Sequence, residues 1–212
     1  MSNTSFLKSL VPSLALAAAI SLAGATGAEA KPKVGEPAPS FSGVTADGKT
    51  VSLADLKGKT VVLEWTNKDC PYVHKHYGTE NMQNLQRESK ADHGVTWVSV
   101  ISSAPGTQGY LEADEARANV NETKAAPDHV VLDGAGAVGR AYAAVTTPHM
   151  FIIDADGTLR FMGGIDNMPS ASWGTVKGAK NYVRAALDDM AAGRDVAEAV
   201  TRPYGCSVKY GS

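Results

Sequence analysis

Cys70 and Cys206 are the whole thiol inventory of the 212-residue chain. Cys70 stands in Asp69-Cys70-Pro71-Tyr72, after an apolar strand pattern and a short polar loop. Proline suits the first position of a helix, where its missing N–H would be unpaired anyway. The string therefore predicts a helix that begins at or beside Cys70. Unpaired amides and the positive end of the helix dipole then face the sulfur. Such surroundings lower a cysteine pKa from about 8.5 to roughly 3.5 to 7.5, and the thiolate is the form that attacks peroxides and disulfides. The competing reading is a buried, inert cysteine. Position argues against it, because the step from apolar strand to polar loop puts Cys70 at the carboxyl edge of a sheet, where ligands gather in α/β folds.

Cys206 lies in Arg202-Pro203-Tyr204-Gly205-Cys206-Ser207-Val208-Lys209-Tyr210, rich in turn formers and aromatics. A tail of this kind can fold back over a site, and a sulfenic acid on Cys70 would condense with a nearby thiol. Three readings stay open: a resolving or redox-active partner of Cys70, a permanent crosslink, or an unpaired thiol. Cys70 and His74, at i and i+4 on a helix, form a weak candidate pair for copper or zinc. The plainer reading makes His74 and His76 solvated side chains beside Lys75 that help hold a thiolate. Arg140, seven residues before Thr147-Pro148, either reaches the thiolate or a leaving oxygen, or sits exposed on a helix. Gly134-Ala135-Gly136-Ala137-Val138-Gly139 superficially resembles a dinucleotide loop, but no acidic residue on a following strand completes it. No cofactor is called for. Trp65, Trp97 and Trp173 are expected to pack in or near the core.

The elements that must position these residues follow from hydrophobic pattern. Gly43 to Val51 reads as a small hairpin turned at Asp47-Gly48, and Ser52 to Gly58 as one helical turn closed by glycine. Thr60-Val61-Val62-Leu63-Glu64-Trp65 is a nearly continuous apolar run, as in a parallel strand buried on both faces. Helix is predicted from Cys70 to about Lys90, with a break possible at Gly78, then strand over Val95 to Ile101. Helix over Glu112 to Lys124 and strand over His129 to Leu132 come next, and a short helix spans Ala135 to Ala143. Met150 to Ile153 and Thr158 to Met162 form a hairpin turned at Asp156-Gly157. A long helix over about Lys177 to Ala192 and a short one over Asp195 to Val200 complete the pattern. This is an α/β arrangement, a mixed sheet with helices on its faces.

Residues 1 to 30 read as a signal peptide: Lys8 supplies a basic start, Leu10 to Ala23 is apolar or small, and Ala28-Glu29-Ala30 suits cleavage. The apolar run is shorter than the roughly 20 residues that span a bilayer. Export to the periplasm or outside the cell is expected, and thiols in that compartment commonly pair. The formal charge of −2 carries no block of one sign. Neither nucleic acid nor an anionic membrane is implied as partner, and the sequence leaves the oligomeric state open.

Val34-Gly35-Glu36-Pro37-Ala38-Pro39, the strand followed by Cys70-Pro71, Thr147-Pro148 before a strand, and Ile153-Asp154-Ala155-Asp156-Gly157 together resemble the redoxin branch of the thioredoxin superfamily. Cys70-Pro71-Tyr72-Val73 is similar to the peroxiredoxin-like proteins related to alkyl hydroperoxide reductase and thiol-specific antioxidant. The resemblance implies a thioredoxin-like domain over residues 31–192, with an N-terminal hairpin and a C-terminal extension over 193–212 that carries Cys206. It implies a cis peptide at Pro148, with the Thr147 backbone free to pair with an extended substrate. It further implies an antioxidant oxidoreductase that takes a hydroperoxide or a disulfide and an unidentified thiol electron donor. The chain departs from both parent patterns. Val73 stands where thioredoxins have the second cysteine, and Leu63 and Asn67 stand where peroxiredoxins have proline and the threonine or serine. Thr66, one residue away, and the Asn67 amide are the nearest stand-ins for the hydroxyl that orients a peroxide.

Overall fold

The structure is a computed structural model and is described for residues 1–2 and 31–212. The signal-peptide assignment falls almost wholly outside the described residues. The chain opens with a small antiparallel pair, β1 (Ser42–Val44) and β2 (Thr50–Ser52), followed by a 3-10 turn at Leu53–Leu56. Ser52 caps that turn in a reciprocal arrangement with Asp55, which satisfies two amides that would otherwise be unpaired. Next come β3 (Val61–Trp65), α1 (Pro71–Gly78), α2 (Asn81–His93), β4 (Thr96–Ile101), α3 (Ala113–Thr123) and β5 (His129–Leu132). The second half holds α4 (Ala137–Ala141), β6 (Thr146–Thr147), β7 (His149–Ile153), β8 (Leu159–Gly163), α5 (Tyr182–Ala191) and β9 (Cys206–Ser207).

The central sheet runs β5-β4-β3-β7-β8. β3, β4 and β5 are parallel, while β7 adds antiparallel to the other side of β3 and β8 pairs antiparallel with β7. Strand β3 is central and every one of its residues is buried, as its apolar run requires. Alternate residues face opposite layers. Leu63 and Trp65 join Phe151, Phe41, Val138 and Tyr142 on the side of the N-terminal hairpin and α4. Val62 joins Ile152, Met82, Leu85, Val183 and Leu187 on the side of α2 and α5. Each large apolar side chain so enclosed contributes about 1.5–3 kcal/mol.

Glu64 is the exception within β3, a fully buried carboxyl group. It accepts hydrogen bonds from Tyr77, Gln86, the Trp97 indole and Ser99. Four donors answer the desolvation of the group, as a buried carboxyl demands. Burial nevertheless pushes its pKa upward.

The structure has the break expected at Gly78 and differs from the predicted elements and packing in three other places. The helical stretch from Cys70 to Lys90 is two helices, parted directly after Gly78, at Thr79 and Glu80. The Thr79 hydroxyl takes the Lys75 carbonyl, and Glu80 adopts a left-handed φ of 58°. Helix α5 begins at Tyr182 rather than Lys177, because Lys180 and Asn181 are held extended against Asn167 and Asp166. Residues 195–200 form no helix. Asp189 accepts the Ala197 amide and pairs with Arg194, and the chain then runs along the open edge of β8, where the Met162 amide donates to the Ala199 carbonyl and the Met162 carbonyl accepts from the Thr201 amide. Covering that edge leaves it no unpaired row of amides. Trp173 is exposed rather than packed in the core, with its ring resting where a Gly78 side chain would stand. Among the described residues no helix is long and apolar enough to cross a membrane.

Candidate active site

Cys70 ends the loop after β3 and is the residue that caps α1. Its backbone is extended, with φ −85° and ψ 122°, and Pro71 takes the first helical position. The first intrahelical bond runs from the His74 amide to the Cys70 carbonyl. The amides of Tyr72 and Val73 therefore precede the helical ladder, at the end where the dipole favours negative charge. The Cys70 sulfur is wholly buried and lies 3.2 Å from the Thr147 carbonyl oxygen, to which the thiol donates.

The Thr147–Pro148 peptide is cis, and Thr147 and Pro148 are both buried. Just ahead of that bond, β6 offers a two-residue edge, and the C-terminal tail fills it. Strand β9 pairs antiparallel with β6, Thr146 opposite Ser207 and Thr147 opposite Cys206. The Val208 amide extends the pairing to the Val145 carbonyl at 3.1 Å. Cys206 is thus the residue paired opposite Thr147, whose carbonyl oxygen receives the Cys70 thiol, and the two cysteines are near neighbours. Both cysteines are free thiols. Burial first, and then the neighbouring Cys70, push the Cys206 pKa up to about 12. Seated in this way, Cys206 keeps its proton.

The rest of the tail is fastened on either side of Cys206. Tyr210 donates to the Ala144 carbonyl at 2.7 Å, and Arg140 lies over its ring, 4.7 Å from the centroid. Arg140 also donates to the Gly211 carbonyl at 2.5 Å. The arginine is therefore engaged with the tail and the turn before α4, away from the sulfurs. The glycine run 134–139 gains a physical reason here. A side chain at Gly139 would come within 2.4 Å of the Tyr210 hydroxyl, and one at Gly136 within 2.6 Å of its ring.

Around Cys70 the remaining sequence candidates take up separate positions. Thr66 is half-buried, and its amide continues the β3–β4 pairing to the Val100 carbonyl at 3.1 Å. Asn67 is buried and committed to the loop: its amide donates to the Gln108 carbonyl at 3.2 Å, and its carbonyl accepts from the Asp69 amide at 2.9 Å. His74 is exposed and turned to the Lys68 carbonyl, so Cys70 and His74 engage different partners.

Four residues fix the site in ways the sequence reading does not foresee: His76, expected to be a solvated side chain beside Lys75, is buried together with that lysine, and Asp166 and Tyr204 have no role in that reading. Lys75 and His76, on α1, are fully buried, as is Asp166 beyond β8, and all three converge on Tyr204 of the tail. The signals for them were the Tyr204-Gly205-Cys206 string and the polar Lys75-His76 pair within a short helix of otherwise ordinary composition.

Comparison with known proteins agrees with the fold. The Redoxin family model matches residues 33–182. The curated thiol-disulfide oxidoreductase ResA of Bacillus thuringiensis subsp. konkukian (strain 97-27) is 28% identical over 132 residues, 61% of this chain and 68% of that protein. An uncharacterized conserved protein from Geobacillus kaustophilus superposes with a TM-score of 0.73 at 26% identity, over 84% of this chain and 93% of the other. A hypothetical protein from Sinorhizobium meliloti 1021 gives 0.71 at 21% identity, over 86% and 97%, which shows a shared fold.

Proposed function

Because the chain belongs to the redoxin family, we propose that it is a thiol-dependent oxidoreductase in which Cys70 and Cys206 cycle between dithiol and disulfide. One observation carries the reading: the pairing of β9 with β6 brings Cys206 to the buried sulfur at the cap of α1. The similarity to a thiol-disulfide oxidoreductase supports the same chemistry. The domain over 31–192, its extension over 193–212, and export with cleavage after Ala30 belong to this proposal.

The cycle begins with the tail lifted, since Cys70 has no exposure while β9 is seated. The Cys70 thiolate attacks one sulfur of a substrate disulfide, and the other sulfur leaves as a thiolate that takes up a proton. A mixed disulfide remains. The tail then returns, and Cys206 attacks the Cys70 sulfur as its proton passes to the departing second substrate sulfur, which leaves as a thiol. The substrate disulfide is reduced to two thiols while the two cysteines are oxidised to one disulfide. A donor thiol that attacks Cys206, the partly exposed member, frees Cys70, and a second donor thiol then frees Cys206, so that the dithiol is restored and the donor leaves as a disulfide.

Disulfide is favoured over hydroperoxide as substrate. A peroxidatic site needs donors aimed at the oxygens, and the Asn67 amide is spent on the Gln108 carbonyl. Peroxidase action of the antioxidant type is the second reading, and it rests on Thr66 alone. The test uses reduced protein with glutathione disulfide and, separately, hydrogen peroxide, followed by mass mapping of the products. Wild type is expected to form the Cys70–Cys206 disulfide with glutathione disulfide. Cys206→Ser is expected to stop at a Cys70–glutathione adduct, and Cys70→Ser to lose turnover. Peroxide consumption faster than disulfide exchange would favour the second reading. Failure of wild type to form the internal disulfide with either oxidant would sink both.

A further inference from the structure

Two residues before Cys206 the tail is keyed into a buried charged cluster that the redox cycle does not use. The Tyr204 hydroxyl donates to the Asp166 carboxylate and accepts from Lys75 Nζ at 3.2 Å. His76 Nε2 lies 3.3 Å from the same oxygen. His76 Nδ1 faces the Asn81 side-chain amide at 2.8 Å. With that nitrogen as acceptor, the network puts the ring proton on Nε2, directed at Tyr204. Lys75 also donates to the Met168 carbonyl at 3.0 Å and lies 5.2 Å from the centre of the Tyr204 ring. The second Asp166 oxygen accepts no hydrogen bond and has only Lys75 at 3.6 Å and His76 at 3.9 Å. The side chains of Lys75, His76 and Asp166 are at most 2% exposed.

Burying an ion pair costs desolvation that its attraction seldom exceeds, so apolar residues would serve the fold at least as well. The connectivity gives the cluster a use. Lys75 and His76 belong to α1, the helix that Cys70 caps, while Tyr204 belongs to the segment that carries Cys206. The phenol is thus a direct tie between the two halves of the redox pair. The ring itself packs edge-on to Tyr72, with centroids 5.8 Å apart, which leaves the hydroxyl to set depth and register.

We propose that Tyr204 is a positioning residue for the redox pair: its hydroxyl, held by Asp166 and Lys75, seats the tail so that Cys206 meets Cys70. This rests on the reading that the two cysteines form a redox couple. The experiment equilibrates full-length protein in mixtures of glutathione and glutathione disulfide, and counts dithiol, Cys70–glutathione adduct and internal disulfide by mass after acid quench. In that equilibrium one glutathione disulfide is reduced to two glutathiones for each internal disulfide formed. Tyr204→Phe keeps the ring and loses the key. Hydrogen bonds to charged groups support an expected fall of about tenfold or more in the internal-disulfide constant, with the adduct accumulating.

A second variant separates positioning from folding. Lys75→Met with His76→Leu, Asp166→Leu and Tyr204→Phe makes the cluster apolar, so urea stability is expected to hold or rise while the disulfide constant still falls. If wild type forms the internal disulfide and both variants match it within twofold, the role of Tyr204 is overturned alone. If wild type forms none, the redox couple itself is overturned and the role goes with it.

Discussion

At Gly205 the tail passes so close to β6 that a β-carbon would stand 2.0 Å from the Thr147 carbonyl oxygen, and the backbone φ is +136°. Both facts demand glycine immediately before the cysteine that reaches Cys70. Gly205→Ala meets a rigid backbone atom and a conformation that costs about 1–3 kcal/mol for other residues. The strand is therefore expected to leave the edge of β6, and Cys70 to react with maleimide about tenfold faster or more. An alkylation rate equal to that of wild type, followed by peptide mass mapping, would show that the tail tolerates the methyl group. Cys70 was legible in the sequence because Cys-Pro after an apolar run fixes the helix start through local rules. Gly205 was not, since its need arises from a contact across 58 residues. Arg140 shows the same limit. Its place before Thr147-Pro148 suggested reach toward the sulfur, but the Tyr210 ring and the Gly211 carbonyl claim its guanidinium.

Among elements, the five strands of the central sheet and α3 were legible because burial on both faces or a run of helix formers marks them locally. The β6–β9 pair was not. Two-residue strands have too little length for a period, and what makes them strands is the partner. The short helix expected at 195–200 failed for a related reason: Ala-Glu-Ala favours helix, but bonds from Met162 and Asp189 hold the chain extended. The tail is therefore expected to act as a separable element laid over the rest of the fold. A chain that ends at Thr201 keeps the pairing along β8 and loses Tyr204, Cys206, Val208 and Tyr210. Loss of these half-buried contacts and their hydrogen bonds is expected to cost on the order of 3 kcal/mol in urea denaturation, with cooperative unfolding retained. Cys70 should then alkylate readily. A truncated chain that no longer unfolds cooperatively would show instead that the tail is part of the core.

Across the whole molecule, buried ionisable groups tie stability to pH in two opposing ways. His76 and His149 are buried and held at about pKa 4, below the value of about 6.5 that each has in an unfolded chain. Between pH 6.5 and 4 the unfolded chain binds more protons than the folded one, so their contribution is complete above 6.5 and is lost as pH falls. Glu64 acts in the other direction. Its folded pKa lies above the unfolded value of about 4.3, so the folded state holds the extra proton and stability falls as pH rises from 4.3 through the raised value. His149 gives the cleaner test, because burial is its sole cause of shift. His149→Asn keeps an acceptor for the Val145 amide and removes one titrating proton. The acid slope of unfolding free energy between pH 6.5 and 4 should become shallower by up to about 1.4 kcal/mol per pH unit. Glu64→Gln retains an acceptor for Trp97 and Ser99, and should make the same acid slope steeper while raising stability near pH 7. Urea titrations from pH 4 to 8 distinguish the two. Identical slopes in wild type and His149→Asn would mean that His149 is solvated and protonated normally in the folded protein, contrary to its burial in β7 against Phe151.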